Sequence, residues 1–310
     1  RIGTPEPSPV ASAHGPRVPQ ATPVDLTLDN QILPEPHADL PPNAYARRRS
    51  AMVASLSRCH AVLAVSSFVR RKFEAMGVQP RAIRTMAIGT RMLEMAERAR
   101  AESTTPMPQR FAENPSRPIR LAFLGYHNFY KGLHVLVGAL ESLDDATARR
   151  FELHVHAKDV APIEPRLAAL GSRLAHVHIA NGYAYERVPE ILSDKDLLVV
   201  PSVWWDNGPQ TVMEAIACEV PVLASNIGGI PDVVDDGVNA LLFRAGDVPA
   251  LARRLREIAD QPTTIDGLRE RLIQSPPALA LMASHAIEMD LLYAELLAAR
   301  AAATHETATA

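Results

Sequence analysis

PSVWWDNGPQTVMEAIACEVPVLASNIGGIPDVV (residues 201–234) begins as the end of a strand and passes into a loop holding Asp206, Asn207 and Gly208. A helix carrying Glu214 follows, then a short apolar strand from Val220 to Ala224 and a second glycine loop at Gly228 and Gly229. Two acidic residues eight positions apart thus bracket a helix N-terminus, where free backbone N–H groups and the positive dipole end suit an anion. Amides for a phosphate and carboxylates for hydroxyls would together hold a phosphorylated sugar. The spacing alone also fits a capping Asp206 and a surface Glu214. Yet Glu214 leads into Ala-rich sequence of core character, where a buried carboxylate is costly without a partner. Ribose hydroxyls would be suitable partners.

Outward from this segment, apolar strands alternate with helices. Strands are expected at 119–125, 151–157, 175–181, 196–202, 221–225 and 239–243. Helices are expected over 131–143, 164–170, 186–192, 209–218, 247–260, 265–274 and 278–300. This alternation predicts an α/β fold with a parallel sheet covered on both faces. Ligands of such sheets sit at the carboxyl ends of strands, where Gly125, Gly182, Asp206 and Gly228 fall. The first of these tips reads G-Y-H-N-F-Y-K-G (125–132), with backbone approach at Gly125 and a point charge at Lys131, suited to a diphosphate. An ordinary strand–helix turn with a solvated lysine fits as well. The segment is not G-x-G-x-x-G, so a nicotinamide dehydrogenase loses its main support.

Before residue 119 the pattern is less regular. Residues 1–42 hold ten prolines and should be extended or wrapped on a surface. Helices are expected at 44–58, 68–76 and 91–101, strands at 60–67 and 81–88, and a linker with a domain boundary at 104–118. The resulting division is 1–42, a segment 43–103, the linker 104–118, a sheet domain 119–275, a terminal helix 276–300 and a tail 301–310.

The chain has 310 residues, enough for one large or two modest domains. No apolar run approaches the roughly 20 residues of a membrane span, and no signal peptide is visible. Arg1 in place of Met points to a piece of a longer polypeptide, and two isolated cysteines, Cys59 and Cys218, fit a reducing, cytoplasmic setting. Residues 43–100 hold twelve Lys or Arg against three Glu, although the whole chain carries −3. That excess would suit anionic lipid headgroups at the inner membrane face, or a phosphorylated acceptor. Arginines on solvated helix faces account for it equally. Nothing points to nucleic acid.

The pieces AVLAVSSFVRRKFEAMGV (61–78), FLGYHNFYKGLHVLVGAL (123–140), the 201–234 segment and NALLF (239–243) together resemble the retaining glycosyltransferases of family 4. The resemblance covers roughly residues 55–295. It implies the GT-B architecture: a complete C-terminal Rossmann-like domain and, here, only a remnant of the N-terminal acceptor domain. It further implies a nucleotide-diphosphate sugar as donor, with no metal or other cofactor, and a saccharide or lipid-linked glycan as acceptor. In the family's E-x(7)-E motif, Asp206 would meet the donor sugar's hydroxyls and Glu214 the ribose. Lys131 would bind phosphate, and the amides around Asn207, Gly208 and 210–212, Thr211 and Val212 among them, would meet the sugar and diphosphate. Gly182 and Tyr183 would lie near the base. By that resemblance Asp206 and Lys131 are the catalytic pair.

Two positions depart from the family: Tyr126 stands where an arginine is usual, and Asp206 where Glu is usual. No residue here matches the histidine that the acceptor domain would supply. A non-catalytic nucleotide-sugar-binding module, an inactive fragment, and an epimerase or phosphorylase of the same fold therefore stay open. Four histidines, His154, His156, His176 and His178, share one expected sheet face and raise zinc as a further reading. Helices expected over both faces speak against it. Of Trp204 and Trp205, one should pack in the core and one line the cleft.

Overall fold

Short apolar runs flanked by helices build a small layer first. It comprises α1 (Ala44–Leu56), β1 (Val62–Ala64), α2 (Ser67–Ala75) and β2 (Ile83–Thr85), with β1 and β2 paired in parallel. Val62, Ala64, Val78 and Ile83 are its buried centre, with Val53, Leu56, Val69 and Phe73 packed against them. Both strands are shorter than the sequence suggests. The computed structural model describes residues 44–79, 83–102 and 108–309. The proline-rich stretch, the start of the expected second strand and residues 103–107 of the linker region lie outside them.

After α3 (Met92–Glu102) comes the main sheet. Its strands are β3 (Ile119–Tyr126), β4 (Phe151–Lys158), β5 (His176–Asn181), β6 (Leu197–Val200), β7 (Val222–Ser225) and β8 (Ala240–Phe243). The intervening helices are α4 (Leu133–Glu141), α5 (Asp145–Ala148), α6 (Glu164–Leu170), α7 (Val188–Leu192) and α8 (Gln210–Ala217). The chain ends with α9 (Val248–Asp260), α10 (Thr263–Gln274) and α11 (Met282–Thr309). All pairings are parallel and the order is β5-β4-β3-β6-β7-β8. β6, β7 and β8 are buried at every position, as strands covered on both faces should be. One face packs Leu121, Phe123, Leu153 and Val155 against α4, α6 and α9. The other packs Ala122, Leu124, Leu198 and Ala224 against α7 and α8. Met92 of α3 is fully buried in that second core, so a helix that precedes the linker packs against the main sheet.

Residues 108–118 are fastened to the base of the sheet. Buried Asp196 takes two hydrogen bonds from Arg117 at 2.8 and 2.7 Å and a third from the Arg120 amide at 2.8 Å. Asp266 accepts from the Phe111 and Ala112 amides. The small layer is joined at the opposite end, where Asp232 accepts from the Phe68 amide at 2.7 Å. Part of the basic excess is neutralised by acids of the chain: Arg71 pairs with Asp232, Arg84 with Glu295 and Arg100 with Glu219.

The strand order reverses at β3: β4 and β5 lie on one side of it, β6, β7 and β8 on the other. Crossovers leave β3 and β6 in opposite directions, and the crevice between their carboxyl ends is where such a sheet receives ligands. No helix among the described residues is long and apolar enough to cross a membrane.

Candidate functional site

β3 ends at Tyr126, one residue past Gly125, and the chain turns through His127 and Asn128 into a single 3-10 turn, Phe129–Lys131. Asn128 caps that turn by accepting from the Lys131 amide at 2.9 Å. Gly132 then adopts φ +72°, and a Cβ there would lie 1.8 Å from the Pro201 carbonyl oxygen. The helix expected from 131 therefore begins two residues later, at Leu133. The glycine breaks it, because the loop must press against the end of β6. Lys131 is left at the crevice rather than on a helix.

Asp206 lies in the loop between β6 and α8. The second glycine loop holds it there: the Gly229 amide donates to the Asp206 carbonyl at 2.6 Å. Gly228, at φ +64°, lies so close that a Cβ would meet the Asp206 backbone at 2.5 Å. Lys131 Nζ stands 3.4 Å from the buried Asp206 Oδ2. Two loops from the two sides of the switch point thus meet through an opposite-charge pair.

Glu214 lies on α8 and is only 6% exposed. Its Oε2 is buried with no hydrogen-bond partner. Burial pushes its carboxyl up to about 7, and nearby Lys131 offsets only part of that rise. A buried, unpartnered carboxylate oxygen with a raised titration makes Glu214 a candidate site residue. Tyr183 is close enough for Glu214 to act on it: burial raises its phenol, and Glu214 and then Tyr126 add to the rise.

At the α8 N-terminus no side chain caps the helix. The expectation that Val212 offers its amide is not met, because that amide already donates to the Pro209 carbonyl at 3.0 Å. Its side chain is in the core. Gln210 and Thr211 remain, with amides that make no backbone hydrogen bond among the described residues. Gly208 sits beneath Ile88, whose Cδ1 would be 3.0 Å from an added Cβ, and Asn207 lies against Gly229. Gly125 has open space around it, whereas Gly182, at φ +80°, packs on the Lys158 side chain.

The two tryptophans separate. Trp205 meets Phe68 edge-on at 5.8 Å and lies under the Lys72 ammonium at 4.1 Å. Trp204 is 42% exposed and contacts Tyr130. Lys72, whose ammonium burial and Arg71 both disfavour, was not singled out from the sequence. Its place on a short amphipathic helix gave no sign that Trp205 would cover it.

The four histidines do converge, on β4 and β5, with His154 and His178 in register and ring centroids 5.5 to 6.1 Å apart. Helix cover is incomplete at this edge, contrary to expectation: His176 and His178 are exposed. Burial, with charged neighbours, lowers both His154 and His156 to about 4. Among the described residues no group of three or more His, Cys, Asp or Glu is arranged to hold a metal ion.

The family model described as glycosyl transferases group 1 matches residues 108–276. The chain is 25% identical over 206 residues to the putative colanic acid biosynthesis glycosyltransferase WcaL of Salmonella typhimurium, covering 64% of this chain and 47% of that protein. It is 35% identical over 149 residues to the alpha-maltose-1-phosphate synthase of Mycolicibacterium smegmatis, covering 46% and 38%. It therefore spans less than half the length of these curated relatives. In structure it is similar to Anabaena Alr3699/HepE solved in complex with UDP-glucose, at 17% identity and TM-score 0.61 over 80% of this chain and 68% of that one. The sucrose-phosphate synthase of Thermosynechococcus elongatus gives 23% and 0.62 over 82% and 62%. These likenesses establish the fold, an α/β arrangement of the GT-B type. With more than half its length matched by the family model, the chain belongs to the glycosyl transferases group 1 family.

Proposed function

We propose that this chain holds the donor of a metal-independent, retaining sugar transfer from a nucleotide-diphosphate sugar to a saccharide or lipid-linked glycan. One observation carries the reading: at the switch point Lys131, Asp206 and the unpartnered Glu214 carboxylate converge on the start of α8. Each has a matching group on such a donor. The ribose hydroxyls would donate to Glu214, and the sugar hydroxyls to Asp206. The diphosphate would take Lys131 and the amides of Gln210 and Thr211. When the bond between the anomeric carbon and the diphosphate breaks, negative charge grows on the leaving phosphate. A fixed ammonium and a helix N-terminus stabilise that charge without reorganising. The similar HepE was solved with UDP and with UDP-glucose, which supports a donor of this class. A lipid-borne acceptor would bring the exposed Arg47 and Arg48 of α1 toward anionic headgroups.

A second reading is favoured by the small layer, which among the described residues has two strands beside the six of the main sheet. The chain would then bind the donor without transferring it. Calorimetry with UDP, GDP and their sugars, together with assays for hydrolysis and transfer, separates the two. Binding with turnover supports transfer, and binding without turnover supports the second reading. No binding of any nucleotide would overturn both.

A further inference from the structure

Among the described residues, four of the seven exposed aromatic side chains lie together, while Tyr45, Tyr185 and Tyr293 stand elsewhere. Tyr126, Phe129, Tyr130 and Trp204 are 51%, 59%, 57% and 42% exposed, and they lie at the end of β3 and in the two loops that follow β3 and β6. Several of the other exposed large apolar side chains are aliphatic residues of α11: Met282, Ile287, Leu291 and Leu297. The rings form a continuous run: Phe129 meets Tyr130 at 6.0 Å, and Tyr130 meets Trp204 at 5.8 Å. His134 stacks under Phe129 at 5.0 Å and 15°.

The run is held rigidly. The Val203 amide donates to the Tyr130 carbonyl at 2.9 Å, and Gly132 locks the same loop against Pro201. It also adjoins the donor crevice. Tyr130 precedes Lys131, Trp204 lies two residues before Asp206, and the Lys131 ammonium is 5.8 Å from the Trp204 ring. Exposed flat rings with polar rims suit one chemistry in particular. A pyranose presents a face of C–H groups to an aromatic ring and turns its hydroxyls outward. The rim here supplies such hydroxyls with the Tyr130 phenol, the Lys131 ammonium and His134, which burial and then His127 and Arg166 keep toward the neutral form. A lipid chain would call for the aliphatic lining this shelf lacks.

We propose that Phe129, Tyr130 and Trp204 form a stacking shelf for a pyranose of the acceptor glycan, beside the donor crevice. This rests on the donor reading above and adds to it the class of acceptor and the residues that select it. The shelf serves free and lipid-linked glycans alike, since both present the same ring face.

Saturation-transfer NMR of the full chain tests it, with maltotetraose, cellotetraose and an α-mannotriose, each with and without UDP. Transfer to axial ring protons is expected for at least one of them. Tyr130→Ala should weaken that glycan by about five-fold, the effect of losing one aromatic stack, and Tyr130→Phe should retain it. UDP affinity, measured by calorimetry on the same variants, should stay within about two-fold. If all three glycans fail to receive saturation, or if Tyr130→Ala leaves the glycan's affinity, taken from titrating the transfer signal, unchanged, the shelf is overturned. Saturation reaching the uracil of UDP through these rings would overturn it as well, in favour of a base site. Failure of UDP and GDP to bind while a glycan does would strike the donor reading and leave the shelf standing.

Discussion

At the switch point Glu214 is a buried acid held up to about 7, and at the β4–β5 edge His154 and His156 are bases held down to about 4. Burial acts in the same way on both, favouring the neutral form. Each place also has a buried nitrogen or oxygen without a hydrogen bond, Glu214 Oε2 and His154 Nε2. What separates them is the company they keep. Around Glu214, loops from different strands bring an ammonium, a second carboxylate and free helix amides to one crevice. Around His154 stand Lys195 and Asp194, then His178 and His176, with Glu152 Oε2 at 3.6 Å, but no helix N-terminus and no second loop of the switch point. A perturbed titration therefore does not mark a site by itself; convergence at the strand-order reversal is what makes the Glu214 crevice the candidate.

The largest effect expected is architectural. Gly132→Ala places a Cβ against the Pro201 carbonyl at a left-handed φ, and should cost roughly 3 kcal/mol or more in chemical denaturation. Gly125→Ala meets nothing within 4 Å and carries only the strain of its own φ of +146°, so it should cost less. Equal losses would mean that the two loops are not locked together.

Next comes pH. The folded-state carboxyl of Glu214 lies above its ordinary value of 4.5, so the native chain keeps a proton that the unfolded chain releases. Stability should fall as pH rises from 4.5 to about 7 and then level off. Glu214→Gln should remove that decline and gain up to about 3 kcal/mol at pH 8. An unchanged profile would show that Glu214 is not a buried acid.

Lys131→Ala should weaken a nucleoside diphosphate about ten-fold or more, as for loss of a charge-assisted hydrogen bond, and leave the nucleoside almost untouched. Equal loss for both would contradict its phosphate role. The smallest effect belongs to the edge. The two histidines are lowered in the folded state, so their contribution is present above 6.5 and is lost as pH falls toward 4. This slope opposes that of Glu214 between pH 4.5 and 6.5 and mutes the wild-type profile. His154→Phe should flatten the acid side and leave UDP affinity unchanged. A loss of UDP affinity would join the edge to the site.

The main sheet was legible because each strand is a short apolar run between helices of ordinary length, and because Asp206 and Glu214 stand at a motif's spacing. The loop geometry was not. Nothing periodic in H-N-F-Y-K-G announces that Asn128 caps a 3-10 turn, or that Gly132 must clear Pro201. Trp204 and Trp205 are neighbours in an irregular loop, and a distant partner, Phe68 of α2, decides which is covered. Charge counting gave the basic excess of residues 43–100, but pairing such as Arg84 with Glu295 depends on where α11 returns. Such choices are made by tertiary contact, which local pattern does not encode.

The most direct test is the titration of the Glu214 side-chain carboxyl by NMR with labelled glutamate, assigned by its absence in Glu214→Gln. A midpoint near 7 is expected in the free chain, moving downward when UDP saturates the site, because ribose hydroxyls would then stabilise the ionised form. A midpoint at the ordinary 4.5, or one near 7 that saturating UDP does not move, would contradict a donor held by Glu214.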